Sequence, residues 1–180
     1  LQNNAGGLIA QTHVMEIAQC WASGDVTVGD GGILVAGGLV SGLYSQAVLT
    51  DCYATGNVYG GSLLVGTLTG RIEGTVVNCY ATGQIHNGVE RTGTLVGSRI
   101  GDNDSIVHSF DLSSTPFCEL NEYSGQGTRT EISHEQAKLA TTYTNASWNF
   151  DDVWVMSERG PYPYPMLKHC NLELQSKQAQ

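Results

Sequence analysis

Cysteines and aromatic residues recur side by side in this sequence, in a pattern that bears on chemistry. Cys20, Cys52 and Cys79 each stand directly before an aromatic residue, and Ser109 takes the same position in a fourth copy. The aromatic residues of the four copies are Trp21, Tyr53, Tyr80 and Phe110. Neighbours on a strand point to opposite faces, so cysteines and aromatic residues form two separate rows. An outer aromatic row is a candidate site for sugar rings, whereas an inner row is core packing, which we favour.

The acidic residues are the second group that invites a chemical interpretation. Five of them lie near His108 in the sequence, namely Asp102, Asp104, Asp111, Glu119 and Glu122. Paired carboxylates would suit a polysaccharide lyase or hydrolase. These acids lie in Gly- and Ser-rich turn sequence, which is typical of solvated loop residues. We therefore predict that the chain is not an enzyme.

Metal and cofactor sites are not expected either. The five histidines are scattered, and no HExxH or CxxC motif occurs. Asp25 and Asp30 lie near glycines, but their spacing does not match a calcium loop. We predict no metal and no cofactor.

A disulfide is a candidate for the two cysteines outside the repeats, Cys118 and Cys170. That bridge would close a long loop and contribute about 2–4 kcal/mol of stability. The three repeat cysteines should lie above one another, but neighbouring in-register strands give poor disulfide geometry. We expect those three to be buried thiols that pack as small apolar groups.

Composition and charge exclude several classes of protein. The 180 residues contain 8 Lys and Arg against 17 Asp and Glu, a net charge of −9, so no basic surface is expected for nucleic acid. The sequence contains no run of about 20 apolar residues, so membrane insertion is not expected. The sequence opens inside a repeat without a signal peptide profile, so we expect an excised or processed fragment.

An internal repeat organises the first two thirds of the sequence. A Gly- and Leu-containing element occurs four times, as GGLIA at 6–10, GGLVS at 37–41, SLLVG at 62–66 and GTLVG at 93–97. Each is followed by a second element, namely QCWASGDV from Gln19, DCYATGNV from Asp51, NCYATGQI from Asn78 and HSFDLSST from His108. The cysteine position recurs after 32, 27 and 30 residues, a period typical of solenoids.

Local composition distinguishes between kinds of solenoid. The repeats are rich in Val, Ile, Leu, Thr and Tyr between Gly and Asn residues, and they show no helical spacing of apolar residues before residue 130. We predict an all-β, right-handed β-helix of about four coils. Each coil is predicted to hold three strands, over the GLVG element, before the Cys, and over the GxV or GxI element.

The paired GGLV and CYATG elements resemble the GLUG motif repeats of bacterial adhesins and of IgA-cleaving peptidases, over residues 5–115. This resemblance implies an extracellular or cell-surface location and a role in adhesion. Residues 147–167 also look like the segment that closes such arrays, which implies an aromatic-rich C-terminal cap. Its bulky residues are Trp148, Phe150, Trp154 and Leu167.

The domain organisation and function follow from these elements. Ser133 and Gln136 have capping-box spacing, which predicts one helix over 134–143. We predict solenoid repeats over 1–117, a connecting segment, helix and cap over 118–170, and a polar tail over 171–180. The predicted function is a non-catalytic spacer or adhesive segment whose partner is a host or matrix glycan or protein. The alternatives are a polysaccharide-active β-helix and a filament subunit that associates end to end.

Overall fold

The chain folds into two compact units, Leu1–Glu131 (unit 1) and Ile132–Gln180 (unit 2). The computed structural model describes residues 3–13, 16–28, 33–60, 64–87, 91–99, 105–112, 127–157 and 163–170. Unit 1 is a parallel β-solenoid of three complete turns and part of a fourth. The predicted all-β solenoid is therefore confirmed.

Unit 1 is built from four stacked coils of short strands. Coil 1 holds β1 (Asn3–Gly6), β2 (Ile9–Thr12), β3 (Glu16–Ala18), β4 (Trp21–Ala22) and β5 (Val26–Thr27). Coil 2 holds β6 (Ile33–Gly37), β7 (Val40–Leu43), β8 (Val48–Thr50), β9 (Tyr53–Ala54) and β10 (Val58–Tyr59). Coil 3 holds β11 (Leu64–Gly66), β12 (Thr69–Ile72), β13 (Thr75–Val77), β14 (Tyr80–Ala81) and β15 (Ile85–His86). Coil 4 holds β16 (Arg91–Gly93), β17 (Val96–Arg99) and β18 (Ser105–Asp111), and β19 (Gly127–Glu131) follows it.

Equivalent strands of successive coils pair in parallel and form four sheets. Sheet 1 runs β1-β6-β11-β16, sheet 2 runs β2-β7-β12-β17, and sheet 4 runs β5-β10-β15. Sheet 3 contains two rows, β3-β8-β13 and β4-β9-β14, which join at the long strand β18. Strand β19 pairs with β18, so unit 1 extends beyond residue 117.

The GLVG element is a corner and not a strand, so the prediction of three strands per coil is wrong. In coil 2 the chain bends at Gly38 and Leu39, between β6 and β7. A Cβ on Gly37 would lie 2.0 Å from the carbonyl oxygen of Val40 and 2.9 Å from the amide nitrogen of Gly70. Glycine is required there because the backbone on both sides approaches too closely for a side chain.

The sequence comparison aligned the third copy of this element in the wrong register. The SLLVG match at 62–66 makes Leu64 the equivalent of Leu39, but Gly66 pairs with Gly37 and with Gly93. The true corner is GTLTG at 66–70. Its Leu68 amide donates to the Leu95 carbonyl oxygen at 3.0 Å, and Leu39 donates to Leu68 at 2.9 Å.

Stacked apolar residues fill the interior of unit 1. The corner leucines Leu39, Leu68 and Leu95 are all fully buried. One core cluster combines them with the inward residues of sheets 2 and 3, including Leu43, Ile72, Leu49, Val76 and Ile106. A second cluster lies between sheets 1 and 4 and contains Val26, Val28, Ala36, Val58 and Val65.

In its described residues, unit 2 contains short helices at 134–137 and 140–144 and a hairpin, and residues 168–170 are also helical. Helix α1 (His134–Ala137) begins with the predicted capping box, since the Ser133 hydroxyl accepts from the Gln136 amide at 3.2 Å and the Gln136 side chain accepts from Ser133 at 2.8 Å. The predicted single helix is wrong, because the chain is extended at Leu139 before α2 (Ala140–Thr144) begins. Strands β20 (Trp154–Met156) and β21 (Pro165–Leu167) pair in antiparallel fashion.

The aromatic residues of unit 2 pack together. Trp148 lies 4.9 Å from Tyr143 and 4.5 Å from Trp154 between ring centroids. Phe150 lies 6.3 Å from Tyr143, and Leu167 pairs with Trp154 across the hairpin. These are the residues of the predicted cap, and their role in covering the end of the solenoid stays a prediction.

Candidate functional site: the stacked side-chain ladders

The cysteines face the core cluster, and the aromatic residues beside them lie on the opposite face of the strand, where all of them except Trp21 are also buried. Cys52 and Cys79 are fully buried within the core cluster, as are Ala54 and Ala81, two residues further on. Alternation along the strand turns the intervening tyrosines to the other face. The cysteine row therefore lines the core cluster, and most of the aromatic row is packed out of reach of solvent on the other face.

The residue before each Cys, and before Ser109 in coil 4, has a left-handed backbone conformation that bends the chain at this point. Gln19, Asp51, Asn78 and His108 all have φ close to +50°, with values of 51, 51, 51 and 48°. Asp and Asn tolerate this conformation better than most residues. The residue before the Cys position therefore makes the turn in each coil.

The thiols are held by repeated hydrogen bonds. The Cys52 thiol donates to the carbonyl oxygen of Thr50 at 3.1 Å, and the Cys20 amide donates to the Cys52 sulfur at 3.3 Å. Cys52 and Cys79 are not in disulfides, so the prediction of buried thiols is confirmed for them. Burial, and then the contact with Cys52, raises the pKa of the Cys79 thiol well above its ordinary value. A neutral, buried thiol is a poor nucleophile, so this row is structural.

Ser109 takes over the cysteine role in coil 4. Its hydroxyl donates to the Val107 carbonyl oxygen at 2.9 Å and accepts from the Cys79 amide at 3.1 Å, and its side chain is fully buried. The fourth copy therefore keeps the geometry of the repeat although its sequence departs from it.

The predicted aromatic row is a stacked ladder. Ring centroids are 5.7 Å apart between Trp21 and Tyr53 and 5.0 Å apart between Tyr53 and Tyr80, and the ring planes lie within 11° of parallel. Phe110 pairs with Tyr80 in the next rung. Because the rings stack face to face along the solenoid axis, each inner ring hides its faces against its neighbours.

Exposure separates the members of this ladder. Tyr53, Tyr80 and Phe110 expose 3%, 1% and 4% of their surface, whereas Trp21 exposes 41%. Trp21 lies in the first rung, where nothing in the described part of the chain covers its outer face. It is the ladder member that an external ligand can reach in this structure.

Two further aromatic ladders were missed by the sequence. His13 stacks on Tyr44 with centroids 5.2 Å apart, and the Arg71 guanidinium lies 5.0 Å from the same Tyr44 ring. Tyr59 stacks on His86 at 4.6 Å on sheet 4. No shared residue type marks these positions, so only the strand register reveals them.

A polar ladder also joins the coils. It is formed by Asp25, Asn57 and Gln84, each of which directly follows the glycine of the second repeat element. The Asp25 carboxylate accepts from the Asn57 amide at 2.7 Å, and the Asn57 side chain accepts from the Gln84 amide at 2.9 Å. The sequence carried this signal in its GDV, GNV and GQI triplets. Asp25, considered above for calcium, therefore has a structural role.

The residues proposed for catalysis do not form a described site. Of the five acids, only Asp111 lies within the described residues, where it is fully buried in β18 beside the exposed His108. Asp102, Asp104, Glu119 and Glu122 lie outside those residues, as does Asp30. Within the same part of the chain, no group of three or more His, Cys, Asp or Glu side chains is placed to hold a metal ion.

The predicted Cys118–Cys170 disulfide falls partly outside the described residues. Cys170 is described and half-buried, whereas Cys118 is not described. The bridge stays a prediction.

The fold and its ladders define the class of this protein, a parallel β-solenoid. Comparison with known proteins found no matching family model, curated protein or solved structure. In the described ranges, no helix has the length and apolar character needed to cross a membrane. The resemblance to GLUG repeats therefore stays a prediction.

Proposed function

We propose that this chain is a stiff, non-catalytic segment of an extracellular bacterial surface protein, which acts as a spacer or carries a ligand-binding face. The observation that carries the proposal is the unbroken parallel pairing of equivalent strands through the coils of unit 1. Apolar and thiol side chains fill the interior of these coils. Such a structure resists deformation because each rung is held by backbone hydrogen bonds to its neighbours.

The surface location and the adhesive role depend on the resemblance of the repeats to the GLUG motif. The CYATG element of coils 2 and 3 carries this resemblance, and each of its first three residues has a defined place in the stacked coils. The Cys and the Ala face the core cluster, the Tyr stacks in a buried ladder on the opposite face of the strand, and the residue before the Cys adopts the left-handed conformation.

Trp21 is the candidate contact for a host or matrix glycan or protein. Its indole is exposed, rigidly backed by Tyr53, and able to stack on a sugar ring. Exposed aromatic residues of this kind often dominate binding energies, and removal of one costs about 2 kcal/mol or more.

An array of glycans and matrix proteins tests the proposal. The intact chain is compared with Trp21→Ala and with Leu139→Ala, a control that removes an exposed apolar side chain of unit 2 (54% exposed). We expect any ligand of the intact chain to be bound roughly 30-fold more weakly by Trp21→Ala and equally well by Leu139→Ala.

The glycans of this array are also incubated with the intact chain and assayed for new reducing ends or unsaturated products. The proposal predicts none, and sustained release of either by the intact chain would contradict it in favour of a polysaccharide-active β-helix. Absence of any ligand would assign the chain to the spacer role.

A further inference from the structure

Unit 2 carries an exposed asparagine in a sequence that glycosyltransferases recognise. Asn145, Ala146 and Ser147 form an Asn-x-Ser sequence with a residue other than proline in the middle, which is the acceptor sequence for N-linked glycosylation. Asn145 and Ser147 are both exposed. The two side chains that the modification uses, the acceptor amide and the hydroxyl two residues later, therefore lie at the surface.

The fold keeps these two side chains outside the aromatic cluster of unit 2. The segment follows α2, and the amides of Asn145, Ala146 and Ser147 donate to carbonyl oxygens of the helix at 3.1, 2.9 and 3.0 Å. Tyr143 before the segment and Trp148 after it are buried. Because the buried residues on either side anchor the segment, a sugar on Asn145 would extend into solvent and displace no packed side chain.

A second Asn-x-Ser sequence, at 103–105, allows a comparison within the chain. Asn103 lies outside the described residues, but Ser105 is described and begins β18. The Ser105 hydroxyl donates to the Thr75 hydroxyl at 3.0 Å, and the two residues are paired in sheet 3. The hydroxyl that a transferase has to recognise is thus held in the sheet at this sequence, whereas that of Ser147 is exposed.

We propose that Asn145 is an attachment site for an N-linked sugar, and that the folded chain presents this site in preference to Asn103. In the reaction, the side-chain nitrogen of Asn145 forms a bond to the anomeric carbon of a sugar nucleotide. The bond from that carbon to the phosphate oxygen breaks, the nucleotide leaves with the bonding electrons, and one amide proton passes to a base of the transferase. This inference is independent of the proposed spacer or adhesive role.

The two sequences differ in what a transferase must open to bind them. Helix α2 has only five residues, and the amides of Asn145 and its neighbours are bonded to its last turn. Short helices fray at their ends at low cost in free energy. Release of Ser105 instead requires β18 to separate from β13, which breaks the parallel pairing of coils 3 and 4. We therefore expect the folded chain to be modified faster at Asn145.

The test uses the folded chain, a sugar nucleotide and a purified asparagine glycosyltransferase. The enzyme is chosen because it modifies the free peptides of residues 98–110 and 139–153 at comparable rates, so that any difference in the chain comes from the fold. Peptide mass spectrometry locates the sugar. We expect modification of Asn145 in the folded chain and modification of Asn103 that is about 10-fold slower or more.

Variants show whether the transferase recognises this sequence. Asn145→Gln and Ser147→Ala should abolish the modification of unit 2, whereas Ser147→Thr should keep it, because threonine retains the hydroxyl. Thr144→Ala is the matched control, since Thr144 is an exposed neighbour outside the acceptor sequence, and it should have no effect. Modification of Asn145 that requires the hydroxyl at 147 supports the proposal. It is overturned by a folded chain that accepts no sugar at Asn145, by modification that persists in Ser147→Ala, or by equal or faster modification of Asn103.

Discussion

At the scale of single residues, the repeated Cys position shows how a side chain can specify a bend. The residue before it is left-handed, and the Cys side chain donates to the carbonyl oxygen two residues earlier and accepts from the neighbouring coil. A hydroxyl does the same at Ser109. The group at this position must therefore be small and able to form both hydrogen bonds.

This role predicts an unusual tolerance at Cys79. Replacement by Ser keeps both hydrogen bonds, so we expect Cys79→Ser to lose only about 1 kcal/mol of unfolding free energy. Cys79→Leu overpacks a fully buried site and also removes the hydrogen bonds of the thiol. We expect the overpacking alone to lower the free energy of unfolding by about 1–3 kcal/mol. Urea unfolding of the two variants decides the matter. A larger loss for Ser than for Leu would show that the site selects apolar volume and not hydrogen bonding.

The corner glycine gives a sharper residue-scale prediction. Gly37→Ala forces a Cβ against the Val40 carbonyl oxygen, and we expect a loss of about 3 kcal/mol or more. Gly24→Ala is the matched control, since a Cβ there meets nothing within 4 Å, and it should be neutral or slightly stabilising. Thermal unfolding of both variants tests this. Equal midpoints would mean that the corner backbone is not as close as described.

At the scale of elements, sequence reasoning succeeded where one rule acts locally. The capping box at Ser133 was predicted because side chains near in sequence determine it. The corner register in coil 3 was missed. Local similarity favoured Leu64, whereas Leu68 is the residue that lies over Leu39 and Leu95, a relation visible only between coils.

The contact between the short helices α1 and α2 of unit 2 includes a buried tyrosine hydroxyl, which makes the stability of the unit depend on pH. The Tyr143 hydroxyl donates to the Ala137 carbonyl oxygen at 2.9 Å and so ties α2 to α1. Burial, assisted by the nearby Tyr164 hydroxyl, raises the pKa of Tyr143 well above its ordinary value of 10.0. The unfolded chain then ionises first, so the stability that Tyr143 contributes to unit 2 should be fully present below pH 10.0 and be lost as the pH rises above it.

Tyr143→Phe isolates this effect. It loses the buried hydrogen bond and about 1 kcal/mol of unfolding free energy at neutral pH, but its stability should decline less steeply above pH 10.0. Near-ultraviolet circular dichroism of the Trp148 and Trp154 cluster follows unit 2 selectively. An unchanged alkaline slope in Tyr143→Phe would assign the pH dependence to another group.

At the scale of the whole molecule, the repeat period and the strand-like composition of the repeats together predicted a β-solenoid, because stacking is the way in which such short strands bury one face. The direction of the ladders was not predictable. Cys and Tyr are both common in cores, and only the coordinates show that Cys52 points into the core cluster while Tyr53 stacks, also buried, on the opposite face of the strand. Likewise, the His13–Tyr44–Arg71 stack joins unlike residues from three coils and leaves no repeat signal in the sequence.

The central claim is that equivalent residues of successive coils lie over one another in the described register. Nuclear Overhauser contacts between methyl and amide groups of the labelled chain measure this directly. The account predicts contacts along Ile17–Leu49–Val76–Ile106 and along Leu39–Leu68–Leu95. Contacts from Leu39 to Leu64 in place of Leu68, or no contacts between residues about 30 positions apart, would contradict it.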